Sequence, residues 1–336
     1  MMLITTSLIS ALTAVITAML VSAWIPLAQR LGITGRDMNK PGKPIKARAG
    51  GFWALLGITF GLLLLCGFYA WNNALTYVSQ IYALALLALL GGVLGFLDDM
   101  LGWKKGLPAR YRILAAAVIA APLSVVAINR SSVFIPFLGD VQFGMLYPLV
   151  LVPLGVMGAA NGFNMLAGYN GLEAGLALIL FASTGILGLL DGNVLIVQSA
   201  MILGAALVGF LIYNWYPAKT FPGNSFTYGI GGLYAGLVVI GGYEVAGVVM
   251  FAMFFVEFIL FIRGLKHGIY KENFGIPNGE GCLGEPYEEA YSVTHIAIRA
   301  LQRIRGCATE KWVVYLILCI QLLISTVVIT AVYIYG

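Results

Sequence analysis

A chain of 336 residues that is 60% hydrophobic and 10% charged lies far from a soluble domain, where about a quarter of residues carry charge. Its net charge of +5 fits the basic loops of a polytopic membrane protein and does not call for nucleic acid as a partner. The four cysteines, Cys66, Cys282, Cys307 and Cys319, form no CxxC pair, so they read as packing residues or free thiols, with neither a disulfide framework nor a zinc site indicated.

In chain order, apolar stretches near the ~20 residues that a span requires fall at 3–26, 49–70, 79–97, 112–129, 144–162, 172–190, 193–213, 226–241, 243–263 and 312–335. They predict an all-α integral membrane protein of about ten transmembrane helices. The first stretch has no basic leader and is too long for a signal-peptide core, so it is expected to remain as a span.

Basic residues set the orientation. Arg30, Arg36, Lys40, Lys43, Lys46 and Arg48 occupy the first loop, Lys104, Lys105, Arg110 and Arg112 the third, and Lys219 follows on the same side. The last long loop adds Lys266, Lys271, Arg299, Arg303 and Arg305, while Arg130 alone lies opposite. The positive-inside rule places these loops in the cytoplasm and both termini outside or in a lumen. Residues 1–336 are expected to form one polytopic domain with a single large cytoplasmic loop, 264–311. KENFGIPNGEGCLGEP in that loop reads as turns or a hairpin. After it, Val293, Ile296, Ala300 and Ile304 share a helical stripe beside Arg299, Arg303 and Arg305, which predicts an amphipathic helix at the membrane surface.

Three polar segments fall on this same side. Asp98 and Asp99 end the third span, and adjacent carboxylates at a membrane boundary need hydration, pairing or a cation. An interfacial acidic pair balanced by lysines accounts for them as well as Mg2+ binding does. In NGFNMLAGYNGLEAG, Asn161 and Asn164 are three residues apart at a helix end, and Asn170 and Glu173 repeat the spacing. Two such pairs in an apolar context favour a polar site, since unpaired amides in hydrocarbon cost several kcal/mol. The third, YNWYPAKTFPGNSFTYGIGG, is broken by Pro217 and Pro222 and offers Phe221 to a planar base; by itself it is equally a proline-rich interfacial turn. Their convergence suggests a basic, carboxylate-bearing cavity at the membrane surface.

GRDMNK (35–40), GFLDDM (95–100), NMLAGYNGLEAG (164–175) and NWYPAKTFPGN (214–224) resemble the polyprenyl-phosphate sugar-1-phosphate transferases, above all the branch acting on UDP-N-acetylglucosamine and dolichyl phosphate. The resemblance implies a ten-helix fold, Mg2+ or Mn2+ as cofactor, and homodimers. It also implies attack of a lipid phosphate on a UDP-sugar to give a lipid-diphosphate sugar and UMP, in the plasma or endoplasmic reticulum membrane. Carried over by motif position, Asp98, Asp99 and Lys105 are the catalytic candidates. Arg110, Asn170, Glu173 and Phe221 are the candidates for substrate, with Phe221 stacking on uracil, and Asn164 and Asn224 are the candidates for metal. Asn224 departs from the family, which usually has a metal-binding Asp there; an amide ligates without charge, so cation affinity before substrate binds should fall. That departure motivates a non-catalytic scaffold as a rival reading. A flippase for lipid-linked sugars is the other, although its broken helices and midplane charges are not evident. His295 and Arg299 are candidates for sugar recognition, although packing of the surface helix is the better reading of both.

Overall fold

The computed structural model describes residues 2–100 and 109–335, with the backbone alone at 2 and 109–116. Helix α1 (Met2–Arg30) leads through a hairpin, β1 (Thr34–Arg36) and β2 (Ile45–Ala47), into α2 (Gly50–Trp71) and α3 (Leu75–Met100). Then come α4 (Ala109–Val126), the hairpin β3 (Ser132–Ile135) and β4 (Gly139–Gln142), and a π-helical turn at Tyr147–Leu151 that runs into α5 (Val152–Met165). Helices α6 (Leu172–Leu190), α7 (Val194–Asn214), α8 (Gly223–Gly241), α9 (Glu244–Met250) and α10 (Ala252–Lys266) follow. The last loop holds β5 (Ile276–Pro277), β6 (Leu283–Gly284) and α11 (Val293–Arg305), and α12 (Glu310–Tyr335) closes the chain.

Each predicted stretch holds helix, and the molecule is an all-α membrane protein. By length and composition, seven of the described helices could cross a membrane, or eight if the bent α9–α10 pair is one span. Among the described residues the expected count of ten is thus not confirmed. The apolar run described in α4 covers only Ala117–Val126. Helix α8, diluted by glycine and tyrosine, is buried along nearly its whole length, so neighbouring helices shield it from lipid.

That central helix is packed through backbone contact. A Cβ on Gly91 of α3 would lie 2.9 Å from Gly229 Cα, and one on Gly95 only 2.3 Å from the Asn224 carbonyl oxygen. Two glycines one turn apart thus let α3 lie directly against α8, as small residues do in membrane bundles. This contact brings the end of α3, with Asp98 and Asp99, to the first turn of α8.

At the break between α9 and α10 the chain bends by 54°. A break frees backbone groups that hydrocarbon cannot satisfy. Gln321, buried on α12, donates to the Met250 carbonyl at 2.9 Å and so covers one of them.

Two expectations are corrected here. Cys282 and Cys307 form a disulfide that ties the connection of the β5–β6 hairpin to the end of α11, while Cys66 and Cys319 are free. Linear spacing could not show it, because the bridge depends on α11 folding back over the hairpin. On α11 the buried face carries Val293, Thr294, His295, Ala297, Ile298 and Leu301, whereas Ile296 and Ile304 are 45% and 79% exposed. The helix has two apolar stripes, and tertiary packing selected the one that periodicity had not.

Candidate active site

The first turn of α8 is held by the loop before α2. Phe221 N donates to Ala47 O (2.9 Å), and Gly50 N and Gly51 N donate to the carbonyls of Phe221 and Pro222 (both 3.0 Å). Ala47 and Thr220 pair as a parallel bridge. So close an approach explains the Gly-Gly pair: a Cβ on Gly51 would lie 2.2 Å from Phe226 Cβ and 2.5 Å from Pro222 O. Two segments that read as separate loops are thereby one small backbone-paired unit, and the sequence signal for it was Gly50–Gly51 at a helix start.

Asp99 sits inside this unit, 4% exposed. Its Oδ1 accepts from Asn224 N (3.0 Å) and from Arg48 Nη2 (3.2 Å), and its Oδ2 accepts from Ser225 N and Ser225 Oγ (both 3.2 Å). A carboxylate facing the free N–H groups of a helix start is favoured by both hydrogen bonding and the helix dipole. Gly223, at φ +78°, leaves room for it, since a Cβ there would meet Asp99 Oδ2 at 2.3 Å. Asp98 is equally buried and accepts from Asn224 Nδ2 at 2.7 Å. The Asn224 amide is therefore oriented, with its nitrogen toward Asp98. Asn164 at the end of α5 donates to Tyr228 OH (3.4 Å), one turn along α8 from Asn224. Among the described residues no three His, Cys, Asp or Glu side chains form a metal cluster.

Asn170 lies in the short connection between α5 and α6, and its polar atoms are engaged within the protein. Its Oδ1 accepts from Lys40 Nζ (2.7 Å) and Ala218 N (2.8 Å), Nδ2 donates to Asp37 Oδ2 (3.3 Å), and its N–H donates to Glu310 Oε1 (2.9 Å). Lys40 also pairs with Asp37, forms an ion pair with Glu310 Oε2 at 3.1 Å without hydrogen-bond alignment, and sits 4.6 Å from the Tyr216 ring centre. Glu173 is buried and its Oε1 accepts from Gly168 N (2.9 Å), fastening the same connection. Asn39 joins two more segments, donating to Gly168 O and accepting from Gly275 N, both at 3.1 Å.

The last loop closes over this connection through Asn273, whose Nδ2 donates to Met165 O (2.7 Å) and Ala167 O (2.8 Å). Lys271 pairs with the buried Glu257 and reaches Asn273 Oδ1 at 2.5 Å; burial pulls its pKa down against the pull of Glu257. His295 is 1% exposed, its Nδ1 accepts from Tyr291 N (3.2 Å), and Nε2 accordingly donates to Glu272 O (2.9 Å). Burial pushes its pKa down to about 4, so it is a neutral packing group. Arg299 pairs with Glu285 across the loop.

The structure thus brings Asp98, Asp99, Asn224 and Phe221 together at the start of α8, with Asn164 a turn away. Asn170 and Glu173 are placed as fasteners of the connection beside it. Lys105 lies outside the described residues, and so does the side chain of Arg110. Sequence reasoning assigned no site role to Asp37, Asn39, Lys40, Arg48, Asn273 or Glu310. The first three stand in GRDMNK, which pointed to a site without saying what its residues touch.

Glycosyl transferase family 4 matches the chain at residues 81–242, from the second turn of α3 to the end of α8. A protein of Sulfolobus acidocaldarius, provisionally named UDP-N-acetylglucosamine–dolichyl-phosphate N-acetylglucosaminephosphotransferase, is 33% identical over 301 residues, covering 87% of each chain. Its namesake in Saccharolobus solfataricus is 33% identical over 81% of each chain. The phospho-N-acetylmuramoyl-pentapeptide-transferase of Desulforamulus reducens is 34% identical over 69% of this chain and 73% of its own.

Proposed function

The chain belongs to glycosyl transferase family 4, and we propose that it transfers N-acetylglucosamine-1-phosphate from a UDP-sugar to a polyprenyl or dolichyl phosphate, releasing UMP and a lipid-diphosphate sugar. The observation that carries this reading is the convergence of Asp98, Asp99, Asn224 and Phe221 on the first turn of α8, inside the region that the family matches. The names of the relatives supply the substrates. On this reading the site faces the cytoplasm, as the basic loops around it require, and the homodimer implied by family resemblance is part of it.

The lipid phosphate is a monoester with a second pKa of about 6, so it is largely dianionic at neutral pH and needs little help from a base. Bringing it to an anionic diphosphate is the harder task. The donor set suits Mg2+ or Mn2+: the Asp98 carboxylate and the amide oxygens of Asn224 and Asn164 are hard oxygens, and thiols and imidazoles are absent from the set. A cation bound there would screen the approaching phosphates and align them for displacement. Asp98 contributes the negative charge to that set. Asp99 keeps α8 and Asn224 in register, while Phe221, half-buried against Gly35, offers its ring to uracil.

The test is UMP release from UDP-N-acetylglucosamine and a short polyprenyl phosphate across a Mg2+ titration, comparing this chain with Asn224→Asp. Release by both, with less Mg2+ required by the Asp variant, is the expected result. Such release would exclude the scaffold and flippase readings, and no release from either chain would overturn the proposal.

A further inference from the structure

Arg48 was expected only to orient the first loop, yet the structure places it in the site. Its backbone is fixed on both sides, since Arg48 N donates to Ile33 O (3.0 Å) and its carbonyl accepts from Trp24 Nε1 (2.7 Å). The side-chain stem lies over Gly35, with Cγ and Cδ each 3.0 Å from where a Cβ on that glycine would stand. The Phe221 ring is 3.5 Å from the same point, so stem and ring are neighbours over one glycine. At its far end, one Nη bonds Asp99, itself fixed by the backbone of α8.

A guanidinium has five N–H donors in a rigid fork. Among the described residues, only the Asp99 contact uses one, and the Arg48 side chain is 21% exposed. A lone counterion for a buried carboxylate needs no exposed face. A tethered, oriented guanidinium beside a base-stacking ring has the form of an oxyanion receptor.

Resting on the transferase reading above, we propose that Arg48 binds the phosphates of the nucleotide, so that the base is recognised by Phe221 and the diphosphate by Arg48. Asp99 then acts on substrate through Arg48 as a positioning residue.

The experiment is titration of the full chain in detergent with uridine, UMP and UDP, for wild type, Arg48→Gln and Arg48→Lys. Arg48→Gln is expected to weaken UDP binding about tenfold to a hundredfold, the scale of a lost charge-assisted contact, while uridine affinity stays within about twofold. Arg48→Lys should recover part of the loss. If the single variant unfolds because Asp99 is stranded, the double variant Arg48→Gln/Asp99→Asn removes both charges, and the UDP-to-uridine affinity ratio must still fall. A ratio equal to wild type would overturn the role of Arg48 and leave the transferase reading standing. Wild-type chain that binds neither uridine nor UDP would overturn both.

Discussion

At the end of α3, Asp99 accepts from two backbone N–H groups and a hydroxyl of α8 and pairs with Arg48. Sequence reasoning weighed it as half of an interfacial acidic pair or as a cation ligand, and the structure adds a packing role, because the glycines of α3 press it into the first turn of α8. Asn at this position would offer one acceptor oxygen where two are used and would turn an N–H donor toward other donors. Asp99→Asn is therefore expected to lower stability by about 2–4 kcal/mol, the scale of breaking a buried charged network. Thermal unfolding in detergent checks this, and an unchanged midpoint would refute it. Asn224 shows how one residue can set cation dependence. Its Nδ2 donates to Asp98 at 2.7 Å, so an aspartate there would place two carboxylates in contact and raise the affinity of the site for a cation, which is why the Asp variant is expected to need less Mg2+.

Among the elements, α11 and the β5–β6 hairpin form a lid-like layer joined by Cys282–Cys307. Leu283 N donates to Ala308 O (2.6 Å) beside that bridge, and two residues further Glu310 reaches Asn170 and Lys40. The bridge thus fastens the segment that delivers Glu310. Removing it by Cys282→Ser or by a thiol reductant is expected to cost the loop about 2–4 kcal/mol of local stability. Faster amide hydrogen exchange across residues 275–310, with α2 and α3 unaffected, would show it; equal exchange in both forms would count against it.

For the whole molecule, the layer of connections around the start of α8 is held by a few buried polar groups that join distant segments: Asn39 links residues 168 and 275, Asn170 links 37, 40, 218 and 310, and Asn273 links 165 and 167. His295 lies under this layer, against the Tyr287 ring and the Glu272 carbonyl. Its pKa is pushed down to about 4 in the folded chain against 6.5 for an ordinary histidine. Above pH ~6.5 both states are neutral there and stability is whole. As pH falls toward 4 the unfolded chain takes up a proton that the folded one refuses, so stability declines by at most about 3 kcal/mol. Unfolding midpoints between pH 7 and 4.5 should show that decline, and His295→Gln should flatten it; identical profiles would remove His295 as the cause.

The sequence alone determined the membrane class, the position of each helix, the side on which basic loops gather and four segments that meet at one end of α8. These are properties of local composition and order: apolar runs must leave water, and carboxamides and carboxylates inside such runs need partners. Tertiary structure decided the rest. Which face of α11 is buried, whether Cys282 meets Cys307, and that Arg48 rather than another first-loop cation reaches Asp99 all depend on approaches between segments far apart in the chain. Asn170 and Glu173 looked alike by spacing to Asn161 and Asn164, yet the Asn170 amide meets Asp37, Lys40 and Ala218 while Glu173 turns Oε1 to the Gly168 N–H, partners that only the folded connection brings within reach.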